Sequence, residues 1–334
     1  MRHAIAIGTS GGRARGLESR TTSTLASAIT KAASKQTYYT IRFLVDRPRV
    51  EDAFRAYAYF RWVDDVLDAQ PRAGSATADA QRLERVRFLD RQSSLLGQCL
   101  RGETPRGVNA REAMLVELVR HADRIDGALE TYLRHMMLVM DFDVRRRGRL
   151  VSEAELSEYT RWLAVAVTEA MHHFIGNGAA APRDKTRYRA VSGAHILHML
   201  RDTCTDLRAG YFNVPREWLV RFSIGPGDLH CDAYRAWVAA RVDLARANFD
   251  AGRAYYGQVQ SLRHRVAGLA YMARFEWLID QLERDEFRLR PRYDRGPSLR
   301  TALRMSGLTI AGLAGLRTAP SRSTATASLR GGRP

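Results

Sequence analysis

The sequence predicts an all-α protein, a helical bundle closed around a central cavity, and three observations carry the prediction. Segments of helical period follow one another from about residue 49 to 317, no stretch alternates at period 2 with Gly/Asn hairpin turns, and the breaks between segments are short. With 45% hydrophobic and 27% charged residues and only 10 prolines, the chain also has the composition of one that buries a sizeable core.

The first segment is expected over 49–70 and stops at the Pro- and Gly-bearing break 71–75. The second, over 77–101, ends in 102–107, where Gly102, Pro105 and Gly107 punctuate the chain. Helical period resumes over 109–122, 125–144 and 152–177, and the Gly/Ala/Pro stretch 176–184 closes that run. Segments 184–209, 228–259 and 263–285 follow, with a turn at 225–228, and a last one over 297–317 comes after Pro297. None of these breaks is long enough to be an inter-domain linker, so a single domain is expected over 23–317. Residues 1–22 and 318–334 are Gly/Ser/Thr/Arg-rich and aperiodic, and are expected to be disordered basic tails.

Lys plus Arg number 53 against 36 Asp plus Glu, a formal charge of +17. Nearly all of it is arginine, since Lys31, Lys35 and Lys185 are the only lysines. Such a balance suits nucleic acid, membrane phosphates or diphosphate substrates. No recognition-helix, zinc-finger or aromatic RNA-binding signature is present, which argues against a nucleic-acid partner. Cys99, Cys204 and Cys231 are too few and scattered for a disulfide framework or a thiolate zinc site. The N-terminal apolar run is broken by His3, and no stretch reaches the ~20 apolar residues of a spanning helix, so a cytoplasmic protein is expected.

The most informative segment is 54–68. At 100° per residue Tyr57, Arg61, Asp64, Asp65 and Asp68 form one stripe, flanked by Ala56, Phe60, Val63 and Leu67 on one side and Tyr59, Trp62 and Val66 on the other. A helix apolar on both flanks aims its carboxylates into a cleft. Repulsion between like charges ~6 Å apart in a desolvated site is roughly 3 kcal/mol at an effective dielectric of 20, so three acids call for a cation. A second helix repeats the pattern, with His195, His198, Asp202 and Asp206 on one stripe backed by Ile196, Leu197, Leu200, Cys204 and Leu207. Two helices each carrying an i, i+4 aspartate pair can hold hard divalent ions such as Mg²⁺ through oxygen. Ions so held grip a diphosphate, to which Arg61, Arg201 or Arg208 can add forked hydrogen bonds.

These residues resemble the squalene and phytoene synthase family. Tyr57, Arg61, Asp64, Asp65 and Asp68 are similar to its first aspartate-rich motif, and Leu200, Arg201, Asp202 and Asp206, followed by residues 210–215, to its second. Lys35 to Tyr38, Met140-Asp141, Tyr159 with Leu163-Ala164, and Phe275 and Leu278 through Arg292 fall in family order, so the resemblance spans about 35–295. It implies an isoprenoid-synthase-type fold and a prenyltransferase that condenses two allylic prenyl diphosphates head to head with Mg²⁺, or Mn²⁺ in its place. It further implies Asp64, Asp65, Asp68, Asp202 and Asp206 as metal ligands, Arg61 and Arg201 on diphosphate, and Tyr57, Tyr38, Tyr159 and Leu163 along the cavity. Arg292, His195 and His198 join the substrate-binding set.

Departures from the family fall around the carboxylates. His195 and His198 stand where Gln and Asn are usual, Thr205 where Glu is usual, and Asn213 and Phe275 where tyrosines are usual. Val165 and Thr168 replace glycines, and are expected to narrow the tunnel. Two other readings stay open. His195, His198 and Asp202 with Glu169 and His172 form the kind of set with which helical bundles hold Fe or Mn, and a catalytically silent family member could act as an assembly or scaffold protein. No nicotinamide site is evident, since Gly8 to Gly12 precede no strand. The segment 298–317, an apolar run flanked by Arg295, Arg300, Arg304 and Arg317, has the pattern of a helix lying in an anionic membrane interface, so peripheral membrane association is expected.

Overall fold

The computed structural model describes residues 10–69, 78–122 and 127–293, with side chains of the first helix from residue 21. The described residues form eleven α-helices and no strand: α1 Ser10–Ala33, α2 Lys35–Leu44, α3 Val50–Asp68, α4 Ala78–Leu100, α5 Glu112–His121, α6 Gly127–Arg146, α7 Glu153–Phe174, α8 Arg189–Ala209, α9 Arg216–Arg221, α10 Asp232–Gln258 and α11 Leu262–Arg284. The all-α expectation holds. Segment 297–317 and the tail 318–334 lie outside the described residues.

Helix α1 is a correction, because residues 10–22 were expected to be disordered. Its buried face is Thr22, Ala26 and Thr30, one residue per turn and all small, so a count of large apolar residues reads it as aperiodic. Thr30 satisfies its hydroxyl on the Ala26 carbonyl at 2.8 Å, and Thr22 accepts from the buried Arg55 guanidinium of α3 at 3.3 Å. Ser34 then breaks the chain and caps α2 by accepting from the Thr37 amide.

Two large cores, and a smaller one of Val139, Phe142, Val151, Leu156, Tyr159 and Met199, organise the bundle. One, around Phe54, Tyr59, Leu115, Leu129 and Leu133, joins α1 to α6 and the end of α7. The other, around Leu197, Tyr234, Val242, Phe249 and Leu278, joins α8, α10 and α11. Helices α6 and α7 form an antiparallel hairpin across the short link 147–152, closed by a capping box between Ser152 and Glu155. Helix α8 ends on Gly210, whose φ of 86° supplies the left-handed cap. It lies close against α10: a Cβ on Gly193 would sit 2.9 Å from the Ala245 carbonyl oxygen, and one on Gly252 2.8 Å from the Ala190 Cβ.

Candidate active site

A cavity of about 490 Å³, within the range of small-molecule sites, lies among α2, α3, α6, α7 and α8. Its polarity is graded along its length because the helices that line it are themselves graded. On α3 the lining runs from Ala53 through Ala56 and Phe60 to Arg61 and Asp64, and on α6 from Tyr132 through Met136, Val139 and Met140 to Asp143. The helical rise from Ala53 to Asp64 makes each run about 16 Å long. Helix α7 runs the other way, from Tyr159 and Leu163 at the polar end to Met171 and Phe174 at the apolar end, and α8 adds His195 and His198 to the polar side.

The aspartates divide into two kinds. Asp65 and Asp202 are neutralised on their own helices. Asp65 accepts from Arg61 at 2.5 Å, while Asp202 takes both forks of Arg201 at 2.7 Å and the His198 ring at 2.8 Å. Burial alone would lift the Asp202 carboxyl, yet the hydrogen bonds from Arg201 and His198 hold it well below the usual carboxylate range. Asp64 and Asp206 are relieved less, by Arg61 at only 3.5 Å and by the neutral amide of Asn213. Burial and the neighbouring Asp68 push Asp64 up to about 6 despite Arg61, and burial pushes Asp206 to about 6 despite a 2.7 Å hydrogen bond from Asn213, with Asp202 adding repulsion.

A chain of hydrogen bonds, continued by a cation–π contact at Tyr211, links the two acidic helices. Tyr159 donates to Asp143 at 2.9 Å, Arg146 donates to Asp143 at 2.7 Å and to Asn213 at 3.0 Å, and Asn213 donates to Asp206. The Arg146 guanidinium lies 5.0 Å from the Tyr159 ring centre and 4.8 Å from that of Tyr211, whose hydroxyl reaches Asp68 at 3.4 Å. Asp143, raised by burial against the pull of Arg146 and Tyr159, thus stands between the two motifs.

The structure brings Tyr57, Arg61, Asp64, Tyr159, Leu163, His195 and His198 to one cavity, with Asp68, Asp202 and Asp206 linked to its polar end. Other expected residues lie off this cavity. Tyr38 is not on the cavity wall: it packs 5.3 Å from the Phe54 ring, and α2 presents Thr37, Thr40 and Ile41 instead. Arg292 is exposed beyond α11 and is not part of the lining. Val165 and Thr168 are buried but off the cavity, since the α7 stripe that faces it is Leu163, Val167, Ala170, Met171 and Phe174. The set expected for Fe or Mn is dispersed, with Glu169 held by Arg187 at 2.6 Å and by Tyr188 at 3.0 Å, and His172 by the Tyr255 hydroxyl at 2.7 Å.

The sequence reading missed Asp143, Arg146, Asn213 and Tyr211. It stopped two residues short at Asp141, which is 42% exposed and paired with Arg145. The spacing Tyr132, Met136, Val139, Met140 and Asp143 is a helical stripe that could have flagged Asp143, whereas Asn213 sits on a loop with no periodicity.

The donor set is all carboxylate oxygen, and two members are raised by burial and repulsion, which suits a hard divalent ion. Among the described residues no three His, Cys, Asp or Glu side chains converge closely enough to hold a metal by themselves. An ion held here would take only part of its coordination from the chain.

The sequence matches the squalene/phytoene synthase family over residues 30–302, and the chain belongs to that family. Solved structures share its fold. Squalene synthase HpnC from Alicyclobacillus acidocaldarius superposes with a TM-score of 0.63 at 20% identity, over 82% of this chain and 97% of that one. A dehydrosqualene synthase in complex with a ligand gives 0.63 at 14% identity, over 91% and 99%. TcSQS bound to the ligand BPH1237 gives 0.58 at 16% identity, over 92% and 94%. No curated protein matches the chain significantly.

Proposed function

We propose that the chain is a Mg²⁺-dependent prenyltransferase that joins two allylic prenyl diphosphates head to head in isoprenoid biosynthesis. The observation that carries this reading is one cavity, apolar at one end, whose other end is lined by Asp64, raised to about 6, and by Asp143, which Arg146 and Asn213 link to the likewise raised Asp206 of the second motif. An apolar tail fits the Ile41, Val45, Phe174 end, and a diphosphate with its ions fits the Arg61 and Asp64 end, toward which the second motif lies. Bound Mg²⁺ supplies the Lewis acidity that draws diphosphate from the allylic carbon.

The chain's own residues do the rest. Asp64 and Asp206 offer the unneutralised oxygens, and Arg61, 43% exposed at the mouth, can turn from Asp65 to a diphosphate oxygen. Arg146 fixes Asp143, Asn213 and through it Asp206, so that the two motifs keep their spacing. Phe60, Tyr132, Tyr159 and Phe174 line the cavity, exclude water from an allylic cation and face it with π electrons.

The test is to mix pure protein with Mg²⁺ and C15 or C20 allylic diphosphates and to examine hexane extracts by mass spectrometry. A hydrocarbon or alcohol of twice the substrate's carbon number is expected. Absence of both, with the substrates recovered intact, points instead to a silent family member serving as a scaffold.

A further inference from the structure

We propose that His195 is the base that takes the last proton of the reaction, so that the product leaves as an alkene without any reductant. The inference rests on the head-to-head reading above and concerns how that reaction ends.

His195 lines the cavity, is only 5% exposed, and neither ring nitrogen has a hydrogen-bond partner. A buried ring nitrogen with no protein partner, on the wall of a cavity, is open to whatever occupies that cavity. Of the two histidines on the stripe shared with Asp202 and Asp206, it is His198 that pairs with Asp202, at 2.8 Å. His195 instead meets the edge of Tyr159, with ring centres 4.9 Å apart.

The other polar groups of the lining are engaged or unsuited. Asp143 accepts from Tyr159 and Arg146, His198 holds Asp202, Arg61 is a cation, and Asp64, 3.5 Å from Arg61, is committed on the reading above to the diphosphate and its ions. Burial, with the Arg146 and Arg241 guanidiniums nearby, holds the His195 imidazole well below its ordinary pKa and so keeps it neutral. A neutral imidazole has one free lone pair. A weak base suffices here, because a carbon next to a cationic centre is a very strong acid.

In the step, a C–H bond beside the cationic carbon breaks. Its electron pair becomes the new C=C π bond, and the proton goes to the free lone pair of His195. The imidazolium replaces the carbocation one for one, so the buried charge does not increase. It then passes its proton to the departed diphosphate. No electrons enter or leave, and no nicotinamide is consumed.

The experiment compares full-length wild type with His195→Gln and His195→Phe, using Mg²⁺ and C15 diphosphate with and without NADPH. Released diphosphate and extracted products are quantified together. Wild type should form the alkene, with the same product mass when NADPH is present. In both variants the alkene formed per diphosphate released should fall at least ten-fold, with a cyclopropylcarbinyl diphosphate or an alcohol appearing instead. An unchanged ratio in the variants, or a wild-type product that gains two hydrogens with NADPH, overturns the proposal while leaving the prenyltransferase reading intact. A wild type that releases no diphosphate overturns both. Independently of turnover, ¹⁵N-histidine NMR of the metal-free wild type should show His195 neutral at pH 6, and a charged ring there would falsify the assignment.

Discussion

At the scale of single residues, the two acidic motifs share one arrangement: each has an acid neutralised by an arginine four or one residues away, and an acid relieved less. The less relieved pair sets the pH behaviour. Asp64 and Asp206 have their carboxyls raised from 3.8 to about 6, so their protonated forms stabilise the metal-free fold below about pH 4, and that contribution is lost as pH rises through 6. For Asp64 two pH units amount to about 3 kcal/mol, but its side chain is 43% exposed, and screening reduces this to about 1 kcal/mol. Asp64→Asn should therefore raise the melting temperature of metal-free protein by roughly 2 °C at pH 7 and leave it unchanged at pH 4, while abolishing turnover. Thermal scans at both pH values check the first part, and equal shifts at the two would sink the repulsion argument. Protons and divalent ions compete for the same oxygens, so Mn²⁺ affinity measured by titration calorimetry should fall steeply below pH 6. The stripe positions of Asp64, Asp68, Asp202 and Asp206 were legible from spacing alone. Which of them is neutralised was not, because Asp206 is set by Asn213, a loop residue brought in by tertiary contact.

At the scale of elements, the site is a consequence of how closely α8 can approach α10. Gly193, two residues before His195, and Gly252 opposite Ala190 let the two backbones meet without side chains between them. Gly193→Ala would drive a methyl to 2.9 Å from both the Ala245 carbonyl oxygen and the Phe249 ring, so α8 must shift. We expect a loss of about 1–3 kcal/mol in urea unfolding and weaker Mn²⁺ binding, since Asp202 and Asp206 ride on the same helix. Gly257→Ala is the control. It lies near the end of α10 with nothing within 4 Å, and should be neutral or stabilising by up to about 1 kcal/mol. If both variants behave alike, close packing at Gly193 is not what fixes α8. Helices α3 to α8, α10 and α11 could be read from large apolar residues at helical spacing. Helix α1 could not, because Thr22, Ala26 and Thr30 bury a face with little hydrophobic signal, and six-residue α9 is too short for any period to show.

At the scale of the whole molecule, the excess of +17 is legible in composition, but its distribution is not. Many arginines are tied into helical pairs, among them Arg134 with Glu130, Arg145 with Asp141 and Arg253 with Asp250. No helix among the described residues is long and apolar enough to cross a membrane. Two places have the chemistry to meet a lipid surface. One is the segment 298–317, which lies outside the described residues. The other is the outer face of α2, where Tyr39 is 51% and Phe43 69% exposed with their rings stacked 6.1 Å apart beside Arg42, while the inner face presents Thr37, Thr40 and Ile41 to the cavity. Prenyl diphosphates and a large hydrocarbon product partition into lipid, so a helix with one face on the cavity and aromatic side chains on the other would shorten their path. Sedimentation with anionic vesicles should separate the two contributions. Truncation after Gly296 removes an apolar run with flanking arginines, and should weaken binding most at low salt, where screening is least. Phe43→Ser should weaken it by a part that high salt does not restore or remove, because burial of an aromatic ring is insensitive to ionic strength. If full-length, truncated and Phe43→Ser proteins all sediment equally poorly at low salt, neither surface meets a bilayer, and substrate must reach the cavity from solution.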